Sequence, residues 1–228
     1  MPSLAEVARR LQPQPALGAT RARPLPRLLL MTDSDRLPDP EKAVRALPPG
    51  TGVILRERDV QRRKVLAARL APLCRRRRRR LILLIAADWR LACHIGADGV
   101  HLSEAVARSG PRRWQAIRQR GLMVTTAAHS PRALRRAGVL GLDAVLLSPV
   151  AVTGSHPLAR PLGPLRFARW AALSPLPIYA LGGITTEVAR RLLPARPAGF
   201  AAIDALIPQH HDEPSALPSI LLTADGSP

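Results

Sequence analysis

Two arginines stand where a short apolar run ends in "GVILRERD", and their charge and spacing point to anion chemistry. Arg56 and Arg58 are two residues apart, so on a β-strand they lie on the same side and could present two guanidinium groups to a pyrophosphate. The alternative is an ion-pair ring at the rim of a sheet, in which these arginines pair with Glu57 and Asp59. The sequence leaves both interpretations open.

An aspartate follows the next apolar run and also has two interpretations. Asp88 comes directly after "LILLIAA", where its carboxylate could bind Mg2+, although a hard cation usually takes a second acidic ligand nearby. As the N-cap of the following segment "WRLACHIG", the same side chain needs no metal.

Two histidines are placed for acid–base chemistry or for contact with an anion. His129 ends the fifth apolar run, and His156 lies in the loop "VTGSHPLARPLG". Imidazole titrates near neutral pH, although a histidine in a loop is commonly just solvated. His101 alternates into a strand and is expected in the core or at the rim, whereas His94 is expected on a helix surface.

A pair of glycines separates a strand from a helix in "PIYALGGITTEVARRLL". Gly182 and Gly183 would let backbone N–H groups approach a phosphate closely, with Thr185 or Thr186 capping the helix, but a plain strand-to-helix turn also uses such a pair. Asp204 ends the last apolar run and would direct a carboxylate towards the same phosphate position. Unless arginines neutralise it or its side chain turns away, it would repel a phosphate there.

The elements that must position these residues follow from the apolar pattern. Short apolar runs bounded by turn residues predict strands, and helical periodicity between them predicts helices. The strands are expected over 27–33, 52–56, 81–87, 98–102, 122–127, 143–148, 177–182 and 199–204. The helices are expected over 40–47, 60–73, 88–95, 111–120, 130–139, 163–172 and 185–193.

The alternation predicts the fold class α/β, as a single (β/α)8 TIM barrel of parallel strands. Strands that are apolar on both faces need a parallel sheet covered by helices, and eight such units close a barrel. An open doubly wound sheet usually has a glycine-rich motif after its first strand. Here that strand ends in "MTDSDR", which contains no glycine. The functional residues are therefore expected at the C-terminal ends of the strands.

The chain divides into one barrel and two flanking segments. Residues 1–24 are expected to form an N-terminal helix and a Pro-rich extension, and residues 25–207 the barrel. Residues 208–228, which contain four prolines, are expected to form a loosely ordered C-terminal tail.

The composition of the chain indicates which classes of binding partner to expect. The formal charge is +19, and the run Arg75 to Arg80 is its densest part, but aromatic residues make up only 3% and offer no stacking platform. We therefore expect no specific nucleic-acid partner, and a solvated helix end at the run.

The longest apolar runs fall well short of the roughly 20 residues that span a bilayer, which predicts no membrane partner and a cytoplasmic protein. A homodimer is compatible with the sequence.

Four stretches together resemble the thiamine phosphate synthase family and its TenI-type thiazole tautomerase relatives. The resemblance covers about residues 27–207. It implies a barrel that binds thiazole phosphate and, in the synthase, joins it to hydroxymethylpyrimidine pyrophosphate with help from Mg2+ and basic residues. The stretches are "GADGVHLSE" (96–104), "SPVAVTGSHPLARPLGPLRFA" (148–168), "LPIYALGGIT" (176–185) and "GFAAIDAL" (199–206).

On the pyrophosphate side, the resemblance implies roles for Arg56, Arg58 and His156, with Asp88 as a Mg2+ ligand. The family's Gln-x-Arg-x-Lys falls on Ile54, Arg56 and Arg58, so the glutamine is missing. Its Asn-Asp falls on Ala87 and Asp88, and its second acidic ligand falls on Val106.

On the thiazole side, the resemblance implies that Thr153, Ser155, Gly182 and Gly183 hold the phosphate. The family's Thr-x-Thr-Lys falls on Thr153, Ser155 and His156, its strand-five serine on Ala127, two before His129, and its strand-eight serine on Asp204. These changes predict a synthase with a diverged site. The alternative is a thiazole phosphate tautomerase or a non-catalytic regulatory barrel that binds thiazole phosphate.

Overall fold

A computed structural model of the chain describes residues 2–12, 24–154 and 160–206. Eight strands pair in chain order, every pair is parallel, and the last strand pairs with the first to close a barrel. The strands are β1 (Leu28–Met31), β2 (Gly52–Leu55), β3 (Ile82–Ala86), β4 (Gly99–Leu102), β5 (Met123–Ala128), β6 (Ala144–Leu147), β7 (Ile178–Leu181) and β8 (Gly199–Ala202). The predicted (β/α)8 barrel is thus confirmed.

Helices cover the outside of this barrel in the connections between strands. They are α1 (Leu4–Arg9), α2 (Pro40–Ala46), α3 (Val60–Cys74), α4 (Trp89–His94), α5 (Glu104–Arg108), α6 (Pro111–Gln119), α7 (Pro131–Val139), α8 (Gly163–Ala172) and α9 (Thr186–Leu192). Short 3-10 helices follow at Leu193–Ala195 and Asp204–Leu206.

Alternation along each strand divides the apolar side chains between two clusters. Side chains such as Leu29, Ile54 and Leu84 point into the barrel and form the smaller cluster. Their neighbours Leu30, Val53 and Leu83 point outwards into the larger cluster beneath the helices. Because both faces of the strands are largely buried, the strands are mostly apolar and the charged side chains lie beyond their ends.

The first helix packs against the far end of the chain. Ser3 caps α1, and Leu4, Val7 and Leu11 are buried in the same cluster as outward-facing side chains of β1 and β8. The helix contacts α9 and the 3-10 helix Asp204–Leu206. In the described part of the chain, α1 therefore covers the barrel wall where the last strand meets the first.

The predicted strands and helices are present, with differences at their ends. The first strand ends at Met31 and the last at Ala202, each two residues before the predicted end. Helix α5 was not predicted; Ser103 caps it, and its five residues are too few to show helical periodicity. The expected tail over 208–228 lies outside the described residues.

The arginine run lies between α3 and β3, at the N-terminal ends of the strands. Arg75 caps α3, five of the six arginines are exposed, and Arg79 donates a hydrogen bond to the backbone carbonyl of Arg45. His94 is exposed at the end of α4, as expected. Within the described residues, no helix is long and apolar enough to cross a membrane.

Candidate active site

Charged side chains cluster where β1, β2 and β3 end, and we call Asp33, residues 56–63 and Asp88 the charged rim. Thr32 joins the first two strand ends, since its hydroxyl accepts the N–H of Arg56 at 2.9 Å. Next to it, Arg56 Nη1 donates to Asp33 Oδ2 at 2.6 Å, a close ion pair in which the aspartate side chain is 11% exposed. The half-buried Arg56 is thereby fixed at the mouth of the barrel.

The ion pairs expected between Arg56 or Arg58 and Glu57 or Asp59 are absent among the described residues, and other arginines and acids pair at this rim. Glu57 is buried and accepts the N–H of Asp59 through Oε1, while its Oε2 lies 3.2 Å from Arg62 Nε. That contact is not aligned as a hydrogen bond, so Glu57 Oε2 has no hydrogen-bond partner among the described atoms. Asp59 caps α3 by accepting the N–H of Arg62. Neither acid pairs with Arg56 or Arg58.

Arg58 is the exposed cation of the rim. The strand β2 ends at Leu55, so Arg56 and Arg58 both follow it in the loop and do not form a fork on one strand. Arg58 is exposed and makes no hydrogen bond or ion pair with other described residues, unlike Arg56. It is therefore available to an anion from solvent.

Asp88 is the N-cap of α4, and both of its oxygens are occupied. Oδ1 accepts the N–H of Leu91 at 3.0 Å, and Oδ2 lies 3.5 Å from Arg63 Nη2. Within the described residues, no group of three acidic, histidine or cysteine side chains could hold a metal ion. The donors around Asp88, a helix N-terminus and a guanidinium, favour an anion, so these residues do not fit a Mg2+ site.

A buried histidine lies inside the barrel below the charged rim. His101 on β4 is 6% exposed, and its Nδ1 lies 2.9 Å from the hydroxyl of Thr125 on β5. Burial, and secondarily the charge of Arg56, lower the pKa of His101 to about 4. At neutral pH the ring is therefore uncharged, and the expectation that it is packed in the core is confirmed.

On the opposite side of the mouth, backbone groups take the place of charged side chains. The loop after β6 runs along the end of β7: the N–H of Val150 donates to Leu181 O, and that of Ala151 donates to Gly182 O, both at 3.0 Å. We call Gly182, Gly183 and residues 149–152 the glycine junction.

Both glycines of the junction are required by the backbone. Their φ angles are +90° at Gly182 and +64° at Gly183, in the left-handed region that side chains disfavour. A Cβ at Gly182 would lie 2.9 Å from Pro149 Cα, and one at Gly183 would collide with the carbonyl oxygen of Val152. The junction therefore brings bare backbone to the barrel mouth beside α9, which Thr185 caps.

The remaining predicted residues of this side are only partly described. Thr153 is half-buried in the loop after β6. Ser155 and His156 lie outside the described residues. Asp204 begins the 3-10 helix that follows β8, and its side chain also lies outside what the structure describes.

A third group of polar and charged side chains lies where β4 and β5 end. His129 follows β5 and is exposed, and its Nδ1 lies 3.3 Å from Glu104 Oε2. Arg136 Nη1 lies 3.8 Å from the other oxygen of the same carboxylate. Glu104 therefore orients the imidazole of His129, which stays open to solvent.

Sequence reasoning missed two residues of this mouth, namely Asp33 and Arg63. Asp33 is the second residue after the end of β1, in the motif "MTD", which is where barrel chemistry concentrates. Arg63 gives no such signal because it reaches the rim from the first turn of α3.

Comparison with known proteins connects this barrel to one family. A family model described as thiamine monophosphate synthase matches residues 28–206. The putative thiamine-phosphate synthase 2 of Aquifex aeolicus is 32% identical over 174 residues, which are 72% of this chain and 88% of that protein. The thiamine-phosphate synthase of Thermus thermophilus is 33% identical over 173 residues, 73% of this chain and 80% of that protein.

The fold has a solved counterpart. The structure of thiamine phosphate pyrophosphorylase from Pyrococcus furiosus superimposes with a TM-score of 0.61 at 21% identity. The match covers 78% of this chain and 85% of that one.

Proposed function

The chain belongs to the thiamine monophosphate synthase family, and on that premise we propose that it acts in thiamine biosynthesis by joining thiazole phosphate to hydroxymethylpyrimidine pyrophosphate. In this reaction the bond between the pyrimidine methylene carbon and a pyrophosphate oxygen breaks, and pyrophosphate leaves with the electron pair. The lone pair of the thiazole nitrogen forms the new carbon–nitrogen bond. The protein contributes position and charge stabilisation, and no acid or base has to act on the bond that forms.

The observation that carries the proposal is the division of the barrel mouth into two anion-compatible halves. Arg56 and Arg58 at the charged rim would stabilise the charge of the departing pyrophosphate. The bare backbone of Gly182 and Gly183 would hold the phosphate of the thiazole, with Thr153 and Ser155 from the preceding loop, whereas His156 of that loop would serve the pyrophosphate.

An endpoint assay tests this function. Purified protein is incubated with both substrates and Mg2+, and thiamine phosphate is detected by fluorescence after oxidation. Product is expected from the wild type, and Arg58→Ala should lower turnover about tenfold or more through loss of a charge-assisted contact. The matched control is Arg69→Ala, an exposed arginine on α3 that pairs with Glu41 away from the rim. A well-folded wild type that forms no product at all contradicts the proposal.

A second candidate is a thiazole phosphate tautomerase, favoured by the contact between His129 and Glu104. A carboxylate that orients an exposed imidazole is the arrangement of a general acid–base group. In D2O, such an enzyme would exchange a carbon-bound hydrogen of thiazole phosphate, which NMR detects. Exchange that disappears in His129→Gln but persists in His94→Gln would support this activity, and no exchange by the wild type would exclude it.

A further inference from the structure

Arg63 reaches the charged rim from α3 and bridges two loops. Its Nη1 donates to the backbone carbonyl of Glu57 at 3.0 Å, and its Nη2 lies 3.5 Å from Asp88 Oδ2. The side chain is only 15% exposed, so the guanidinium is held between the β2–α3 and β3–α4 connections. Arg63 therefore places a cation from α3 against the carboxylate of Asp88, which the sequence offered as a metal ligand.

The contacts of Arg63 leave much of its hydrogen-bonding capacity unused. Its Nε is buried and has no hydrogen-bond partner among the described atoms. The 3.5 Å distance to Asp88 is also long for a charge-assisted hydrogen bond, which is usually shorter than about 3 Å. A guanidinium carries five N–H donors in one plane, so Arg63 can take an oxygen anion without first giving up Glu57.

Three of the four acids of the rim lie within ion-pair distance of a guanidinium, and the fourth, Asp59, caps α3. The rim also contains four arginines, so it does not require a bound cation to offset its negative charge. The pairs are Asp33 with Arg56 at 2.6 Å, Glu57 with Arg62 at 3.2 Å, and Asp88 with Arg63 at 3.5 Å.

From these contacts we propose that Arg63 takes the place of a divalent cation at this rim, so that the site binds a pyrophosphate group directly and without Mg2+. Arg58, exposed at the entrance, completes the anion site. The inference rests on the proposed function, because it names the ligand class and the ion requirement of that same site. Arg63 would then be a specificity-determining residue, because it decides whether the site binds pyrophosphate alone or pyrophosphate with a metal ion.

Calorimetry with inorganic pyrophosphate tests the proposal without relying on turnover. The wild type should bind pyrophosphate in EDTA about as tightly as in excess Mg2+, within about threefold. Arg63→Gln should weaken binding in EDTA about tenfold or more, because a charge-assisted contact is lost. Arg69→Ala, on the same helix but paired with Glu41, should leave both affinities unchanged. Pyrophosphate that binds the wild type only with Mg2+ overturns the proposal.

A second readout separates a metal-replacing role from a structural one. Removing the charge of Arg63 frees Asp88 Oδ2, so Arg63→Gln should bind Mn2+ more tightly than the wild type by electron paramagnetic resonance. It should also regain part of its pyrophosphate affinity when Mg2+ is added. If Arg63→Gln does not fold, Arg63→Lys keeps the charge and stem, and its loss of planar contacts should still weaken pyrophosphate binding in EDTA. If Arg63→Lys bound pyrophosphate in EDTA as tightly as the wild type, the proposal would be overturned.

The two proposals fail differently. If the wild type couples its substrates only when Mg2+ is present, the synthase function stands and the role of Arg63 is wrong. If no coupling occurs under either condition while pyrophosphate binds in EDTA through Arg63, the anion site stands and the synthase function is wrong.

Discussion

The two halves of the barrel mouth would bind anions by different means in the proposed function. The charged rim relies on long side chains, of which Arg56, Arg62 and Arg63 lie against carboxylates and Arg58 is exposed. The glycine junction relies on backbone, with Gly182 and Gly183 held in left-handed conformations by the loop that packs on them. The first can exchange partners when a ligand arrives, whereas the second is fixed before it arrives.

Because of this difference, substitutions in the two halves should have different effects on the stability of the protein and on ligand binding. A substitution in the glycine junction disturbs packed backbone and should act first on folding. A substitution in the charged rim removes an exposed or half-exposed contact and should act first on the ligand.

Gly183→Ala should destabilise the protein by about 2–4 kcal/mol, because it adds a Cβ to a left-handed residue and drives it into the carbonyl of Val152. Urea unfolding measures the change. The matched control is Gly163→Ala, where φ is +68° but no atom lies within 4 Å of the added Cβ. The control should cost about 1 kcal/mol from backbone strain alone. Equal losses in the two variants would refute close packing at the junction.

His101 should make the protein less stable in acid. Its pKa is about 4 in the fold and about 6.5 when unfolded, so between these values the unfolded chain binds a proton that the native state does not. Stability should therefore fall by about 2–3 kcal/mol from this group between pH 7 and pH 4.5. His101→Gln, which cannot titrate, should lose less stability over the same range in urea unfolding. An identical pH dependence in both proteins contradicts the buried, neutral ring.

Asp33→Asn should cost only about 1 kcal/mol, because Arg56 is 36% exposed and solvent screens much of the pair. The released guanidinium should bind inorganic pyrophosphate more tightly than in the wild type. Glu41→Gln, which removes a half-buried carboxylate paired with Arg45 and Arg69, serves as the control and should not change that affinity. Weaker pyrophosphate binding by Asp33→Asn would show that the pair must stay intact to bind an anion.

Arg58→Ala should change the free energy of unfolding by less than about 0.5 kcal/mol, since the side chain is exposed and makes no hydrogen bond or ion pair with other described residues. Its affinity for inorganic pyrophosphate should nevertheless fall about tenfold. Calorimetry and urea unfolding on the same sample separate the two effects. A large stability loss without a change in affinity would assign Arg58 to the scaffold.

The contrast between the halves also explains what sequence could predict. The barrel and the glycine junction follow from local patterns, because apolar runs and a glycine pair at a strand end depend on neighbours in the chain. Thr185 as a helix cap is equally local. The pairing of Arg56 with Asp33 joins residues 23 apart, and that of Arg63 with Asp88 joins residues 25 apart. Spacing along one strand therefore predicted the wrong partners for Arg56.

Competition between the two anions tests the central claim most directly. Thiazole phosphate is titrated calorimetrically into wild-type protein in buffer alone and into protein saturated with inorganic pyrophosphate. If the charged rim holds pyrophosphate and the glycine junction holds the thiazole phosphate, the affinity should stay within about twofold, since the two ligands occupy different halves of one mouth. Displacement of thiazole phosphate by pyrophosphate would contradict the account, because it would place both anions in a single site.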